Sequence, residues 1–184
     1  MKKGKAVGGD GIALEMLGSM GEFGIRELTK LFNKMYDSGN VISSLCESLF
    51  VAIPKVEGTL ECSKHRTISI MSQVTKVLLR VILKRIRSKI SPEISEQQFG
   101  FVAGKGTANA IYSLRTLVER CLDVQKNIYI RFDNYEKAFD KVKHEEPMKI
   151  LKELTLDGKD LRIIGNLYWN QRAAVRISND MSEW

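Results

Sequence analysis

The feature that most restricts the fold is the periodicity of residues 72–90. Val74, Val77, Leu78, Val81 and Ile82 recur at the spacing of one helical face. Lys76, Arg80, Lys84 and Arg87 follow at steps of four, four and three, so at about 100° per residue they gather in a second stripe. The pattern predicts a helix capped by Ser72 and ended by Ser91-Pro92. A helix of this kind is stable only with its apolar side packed, so it demands a core. Arg85 and Lys89 fall toward that apolar side and must snorkel or meet a partner.

The same segment carries the charge of the chain. Residues 62–92 hold eight basic side chains and no acid, while the other 21 basic residues are nearly balanced by 22 acidic ones, so the net charge of +7 belongs to this stretch. A local positive field suits a polyanion, although a solvated helix face would show the same charges. With 43% hydrophobic and 28% charged residues and only three prolines, the 184-residue chain reads as globular rather than disordered. Its apolar runs are too short for a bilayer, and no apolar stretch follows Met1-Lys2-Lys3-Gly4-Lys5, so neither membrane insertion nor secretion is expected. An intracellular place, cytoplasmic or nuclear, follows from that reading. Cys46, Cys62 and Cys121 are odd in number and far apart, which predicts free thiols and no zinc site.

Further elements are legible along the chain. Gly8-Gly9-Asp10-Gly11 predicts a turn, with Asp10 able to cap a helix from Ile12. Ile25, Leu28, Leu31, Phe32, Met35 and Tyr36 predict a helix over 22–38 that Gly39 stops. A short strand is expected over 48–53, closed by Pro54, and a loop over 55–64. After the glycine-rich turn 99–107, Thr107 is the natural cap of a helix over 108–124. Residues 127–134 predict a strand, 144–154 and 161–169 helices, and 173–177 another strand.

Several of these segments, in this order, resemble successive blocks of the non-LTR (LINE-type) retrotransposon reverse transcriptases. Lys5-Ala6-Val7-Gly8-Gly9-Asp10-Gly11-Ile12 resembles the opening K-A-x-G-P-D-G-I block, with Gly9 in place of proline. Ile53-Pro54-Lys55 and Cys62-Ser63-Lys64-His65-Arg66-Thr67-Ile68-Ser69 resemble the I-P-K and C-S-x-x-R-x-I-S stretch. Gln98-Phe99-Gly100-Phe101 with Gly104-Lys105-Gly106-Thr107 resembles Q-F-G-F-R-x-G-R-S-T, with Val102 and Lys105 where arginines are usual. Tyr135-Glu136-Lys137-Ala138-Phe139-Asp140 resembles the D-Y-x-K-A-F-D segment of the first palm motif, and Asn166-Leu167-Tyr168 with Gln171 and Val175-Arg176 the stretch after it.

The resemblance implies an α+β, helix-rich fold made of the fingers and part of the palm of a right-hand polymerase, incomplete in these residues. Residues 1–126, with the basic helix 72–90, would be fingers, and 127–184 the start of the palm. It implies an RNA template, a DNA primer and Mg²⁺ as ligands. Arg66 and Lys55 become candidates for the incoming triphosphate. Phe139, with Ala138 beside it, stands where the family keeps the bulky residue that excludes the ribose 2′-hydroxyl. Lys76, Arg80, Lys84, Arg87 and Lys105 are the candidate nucleic-acid contacts. Taken without the resemblance, Arg66 and Lys55 read as surface charges and Phe139 as a core phenylalanine.

Two-metal nucleotidyl transfer needs several carboxylates around the ions. The family takes them from the first palm motif and from an aromatic-x-Asp-Asp hairpin, and no Asp-Asp pair occurs in these 184 residues. Asn134 occupies the first-motif aspartate position, and Asp133 sits one residue early. On a strand over 127–134, Asp133 would point to the face opposite Asn134 unless a bulge re-aims it, and the neutral Asn134 is a poor ligand for a hard cation. Three readings follow: a reverse-transcriptase domain fragment without catalysis of its own, a nucleic-acid-binding module that keeps the basic fingers, or an enzyme completed by a further C-terminal part.

Overall fold

The computed structural model describes residues 1, 3–177 and 180–184. They form six α-helices and four strands: α1 (Leu14–Ser19), α2 (Gly21–Ser38), β1 (Glu47–Pro54), β2 (His65–Met71), α3 (Gln73–Ile90), α4 (Thr107–Asp123), α5 (Glu145–Glu153), α6 (Gly158–Trp169), β3 (Arg172–Ile177) and β4 (Asp180–Met181). The helix-rich α+β class is borne out. The chain divides into two compact units, one of Met1–Arg87 with His144–Trp184 and one of Ser88–Lys143. That division is one of compactness.

The first unit holds the sheet, in the order β2-β1-β3-β4. β1 and β2 form an antiparallel ladder from Ser48↔Met71 to Pro54↔His65, and β1 runs parallel to β3 from Glu47↔Arg172 to Val51↔Arg176. Leu49 and Ala174 are register partners on β1 and β3, and both are buried. Around them the core draws Val74, Leu78, Ile82 and Ile86 from α3, Ile163, Ile164 and Leu167 from α6, and Met35 from α2. Burying side chains of this size stabilises by about 1.5–3 kcal/mol each.

The basic helix forms nearly as its periodicity predicts. Ser72 caps it, its Oγ accepting from the Val74 N–H at 3.1 Å. The buried row is one residue every four, from Val74 to Ile86, so Val77 is only half-buried and Val81 is exposed. Both were expected inside; they lie about 100° to one side of that row, where no other element covers them fully. Gln73 is almost fully buried, and its Nε2 donates to the Ala6 carbonyl at 2.7 Å. Gly8 passes so close to α3 that an added Cβ would stand 2.7 Å from the Ser72 Cα, which explains a glycine in that backbone.

Of the two charges on the apolar side of α3, Lys89 is exposed and Arg85 meets partners. Its Nε lies 3.2 Å from Asp160 Oδ1 on α6, and a guanidinium nitrogen donates to the Tyr36 hydroxyl on α2 at 2.7 Å. Burial works against the Arg85 charge, yet Asp160 and Tyr36 hold its pKa above the usual arginine range. Burial, followed by the Asp160 carboxylate, pushes the Tyr36 phenol up. From α6, Lys159 Nζ reaches Asp37 at 2.7 Å, Arg162 donates to the Asp37 carbonyl at 2.9 Å and Asn166 to the Gly39 carbonyl at 2.6 Å. Gly39, at φ 76, stops α2 as expected and lies against the Arg162 side chain.

Other expectations need correction. Asp10 does not cap a helix: it accepts from the Ile12 N–H at 3.1 Å in a local turn, and α1 begins two residues later at Leu14. Thr107 is the first residue of α4 rather than its cap; Gly106 caps, and its N–H donates to Asn109 Oδ1 at 2.9 Å. β2 crosses a stretch with no expected strand. Its alternation is blurred by Arg66, Thr67 and Ser69, and the ladder with β1 supplies what the pattern lacks.

The second unit contains α4, on which no residue is fully buried, and the chain around it. The expected strand over 127–134 does not form: the segment has no regular structure, and Tyr129 and Phe132 are largely exposed. Alternation alone cannot make a strand, because its backbone groups need a ladder partner, and none of the three ladders includes this segment.

Removing the carboxylate at the α2–α3–α6 junction should cost stability, because the buried Asp160 is the acceptor through which α6 holds the Arg85 guanidinium of α3. Asp160→Ala is expected to lower unfolding free energy by about 1–3 kcal/mol, measured by urea denaturation. Glu27→Ala, which breaks the exposed Lys30 pair, should change it by no more than about 0.5 kcal/mol.

Candidate nucleic-acid interface

Taking Lys76 as the origin and about 100° per residue, Arg80, Lys84 and Arg87 fall within about 80° of it, and the buried row is centred roughly opposite. The structure agrees: Arg80, Lys84 and Arg87 are exposed and Lys76 is half-buried. Among the described residues none of the four belongs to an ion pair, in contrast to Arg85. Four cations on one helical face in an acid-free segment leave a positive potential unneutralised. Beside it runs an open groove of about 660 Å³, whose lining includes Lys5, Ala6, Ile68, Ile70, Lys76 and Arg80. The N-terminal segment forms one wall because Gln73 and Gly8 bring it against α3.

Lys55 and Arg66 come to one end of the β1–β2 hairpin. Arg66 pairs in register with Ile53, and the Lys55 N–H donates to the Lys64 carbonyl at 2.8 Å, prolonging the ladder by one bond. Both side chains are exposed. Lys64 is tied to Glu61 at 2.8 Å, so the paired and unpaired cations of this end are distinct.

In the second unit, Lys105 is turned inward. Its Nζ donates to the Glu96 carbonyl and lies 5.5 Å from the Phe99 ring centre, so it braces the glycine-rich turn. Asp133 accepts from Arg131 Nε at 2.8 Å, and Asn134 is exposed beside it. Without a strand, the opposite-face relation expected of these two side chains has no backbone to enforce it. Residues 136–141 turn rather than start a helix, with Lys137 at φ 50 and the Asp140 N–H donating to the Lys137 carbonyl at 3.0 Å. Ala138 is exposed, and Phe139 is 78% exposed, which is not the environment of a core phenylalanine.

A divalent cation of the hard, oxygen-preferring kind takes about six oxygen ligands, and Mg²⁺ is usually held by one or two carboxylates with waters and substrate phosphates completing the set. Among the described residues no three His, Cys, Asp or Glu side chains cluster to hold one, and Asp133 is engaged by a guanidinium. These residues do not fit such an ion. Among the described residues no helix is long and apolar enough to cross a membrane. The three cysteines are free thiols, with Cys46 buried.

Residues 53–183 match the reverse transcriptase (RNA-dependent DNA polymerase) family. Over 99% of its length the chain is 25% identical to the retrovirus-related Pol polyprotein from type-1 retrotransposable element R2 of Nasonia vitripennis, covering 17% of that protein. It is 24% identical, over 97% of its length, to the transposon TX1 uncharacterized 149 kDa protein of Xenopus laevis, covering 14% of that one. The chain therefore belongs to the reverse transcriptase family, and the resemblance to the non-LTR retrotransposon enzymes is borne out. It spans less than a fifth of the length of these relatives. The family is one of polymerases, for which a divalent metal, a template and a primer are generally implied.

Periodicity exposed the stripe but not the groove beside it, which depends on a contact between residues 67 positions apart. Nor did it mark Asp160 as the partner of Arg85; the signal was a cation on an apolar face.

The metal fit leads to a direct expectation. Titrating Mn²⁺ into the chain and following water-proton relaxation should show no saturable site tighter than about millimolar, and Asn134→Asp should not create one, because a single added carboxylate leaves the coordination far short. Micromolar binding by the variant would show that other carboxylates of the chain converge on residue 134.

Proposed function

We propose that this chain forms the fingers (residues 1–126) and the beginning of the palm (127–184) of an RNA-directed DNA polymerase, and that its contribution within these residues is to hold the RNA template with its DNA primer. The observation that carries the reading is the stripe Lys76, Arg80, Lys84 and Arg87, which faces outward from a segment without acids. Contacts of this kind track phosphates and position a strand without reading its bases.

Lys55 and Arg66, exposed at one end of their hairpin, are proposed triphosphate contacts. In the second unit, Phe139 and Ala138 are proposed to meet the sugar of a nucleotide, and Lys105 to act through the shape of its turn. Mg²⁺ is the ion that the polymerase reading implies; with Asn134 and Asp133 as they stand, the described residues are proposed not to bind it productively, so that catalysis would need carboxylates in addition to theirs. The chain alone then acts by occupancy.

The test is the salt dependence of RNA binding. With about three or four phosphates neutralised, log affinity for an unstructured RNA should fall against log salt with a slope of about −2 to −3, at roughly −0.7 per contact on a single strand. Changing all four residues to glutamine should flatten that slope while circular dichroism and unfolding midpoint stay near those of the parent. Undetectable binding at low salt, or a slope unaffected by the fourfold change, would reduce the stripe to a solvated helix face.

A further inference from the structure

One pair of side chains in the second unit is not explained by phosphate tracking. The rings of Phe101 and Phe139 meet edge to face, with centres 5.9 Å apart and planes at 88°, although 38 residues separate them in sequence. Phe101 is 92% exposed, so the ring contact does not hide it.

Its backbone lies at φ 62, in the left-handed region that glycine tolerates and a side chain like phenylalanine resists. Gly100 and Gly104 flank the position, yet the residue held in that conformation carries a ring. The turn is fastened around it: Gln98 Nε2 donates to the Gly100 carbonyl at 3.0 Å, the Lys105 N–H to the Val102 carbonyl at 3.2 Å, and the Lys105 side chain to the Glu96 carbonyl. Phe139 is offered by a second tight turn, beyond Lys137 at φ 50. A strained residue that presents an aromatic ring to water, with a second ring set against it, is a built feature whose use lies outside the packing of the unit.

We propose that Phe101 is a base-stacking residue for single-stranded nucleic acid, with Phe139 as the brace that holds its ring. A nucleobase presents a flat π face of matching size, and such stacking tolerates any base. The inference rests on the nucleic-acid reading above but concerns a different force: the α3 stripe sets the salt slope, whereas stacking sets a contribution that salt does not screen.

Two strands with the same phosphates separate these forces. Fluorescence anisotropy would compare a twelve-nucleotide oligothymidylate with an abasic strand of equal length. The parent chain should bind the thymidylate about ten-fold more tightly, the effect of roughly one stacked base. Phe101→Leu should bring that ratio to about one without altering the salt slope, Phe101→Tyr should retain it, and Phe139→Leu should lower it several-fold by releasing the brace. Equal affinity of the parent for the two strands, or a ratio unchanged in Phe101→Leu, overturns the stacking role while leaving the phosphate-tracking reading intact. If neither strand binds at low salt, the nucleic-acid reading itself fails and this inference falls with it.

Discussion

The junction of Arg85, Asp160 and Tyr36 bonds α3 to α6 and α2 in the first unit. A guanidinium on the inward side of α3 would be a fault in an amphipathic helix if nothing met it. Here it meets a carboxylate from α6 and a phenol from α2, so three helices distant in sequence are joined by directional bonds in addition to their apolar packing. The consequence reaches the surface. With Val74, Leu78, Ile82 and Ile86 buried and Arg85 bound at the edge of that row, the rotation of α3 is set and Lys76, Arg80, Lys84 and Arg87 are turned to solvent. On α3 the buried apolar row sets the direction of the basic stripe, and Arg85 is bonded to the neighbouring helices at the edge of that row.

The N-terminal segment depends on the same helix. Its backbone lies close to Ser72 because Gly8 has no side chain, and Gln73 gives up solvent to hold the Ala6 carbonyl. An almost fully buried amide is worth its desolvation only when it is hydrogen-bonded, which this one is. Lys5 is thereby carried to the groove that Lys76 and Arg80 line, and basic residues far apart in the chain share one surface.

Where local pattern and tertiary environment agree, the sequence was a sufficient guide. α2 ends at Gly39, α3 is capped by Ser72, and β1 and β3 fall within a residue or two of their expected bounds, because each carries its own stop signal or periodicity. Where structure is owed to a distant partner, the sequence misled. β2 has a mediocre pattern and forms because β1 lies beside it; residues 127–134 have a good one and do not, since no ladder reaches them. The site divides in the same way. The basic stripe was visible because it lies on one helix, and the hairpin end holding Lys55 and Arg66 was visible only through the family pattern. The contact of Phe101 with Phe139 had no sequence signal, since nothing about two phenylalanines 38 residues apart says that their rings touch.

The central claim is that nucleic acid lies along the outward face of α3, and residue-resolved protection tests it most directly. Lysines would be acylated in the free chain and in the presence of saturating unstructured RNA at low salt, with modification read by peptide mass spectrometry. The account predicts strong protection of Lys76 and Lys84, with Lys30 and Lys149, each engaged in an exposed pair with a neighbouring glutamate, changed little. Uniform protection of all four, or protection that spares Lys76 and Lys84, would contradict it.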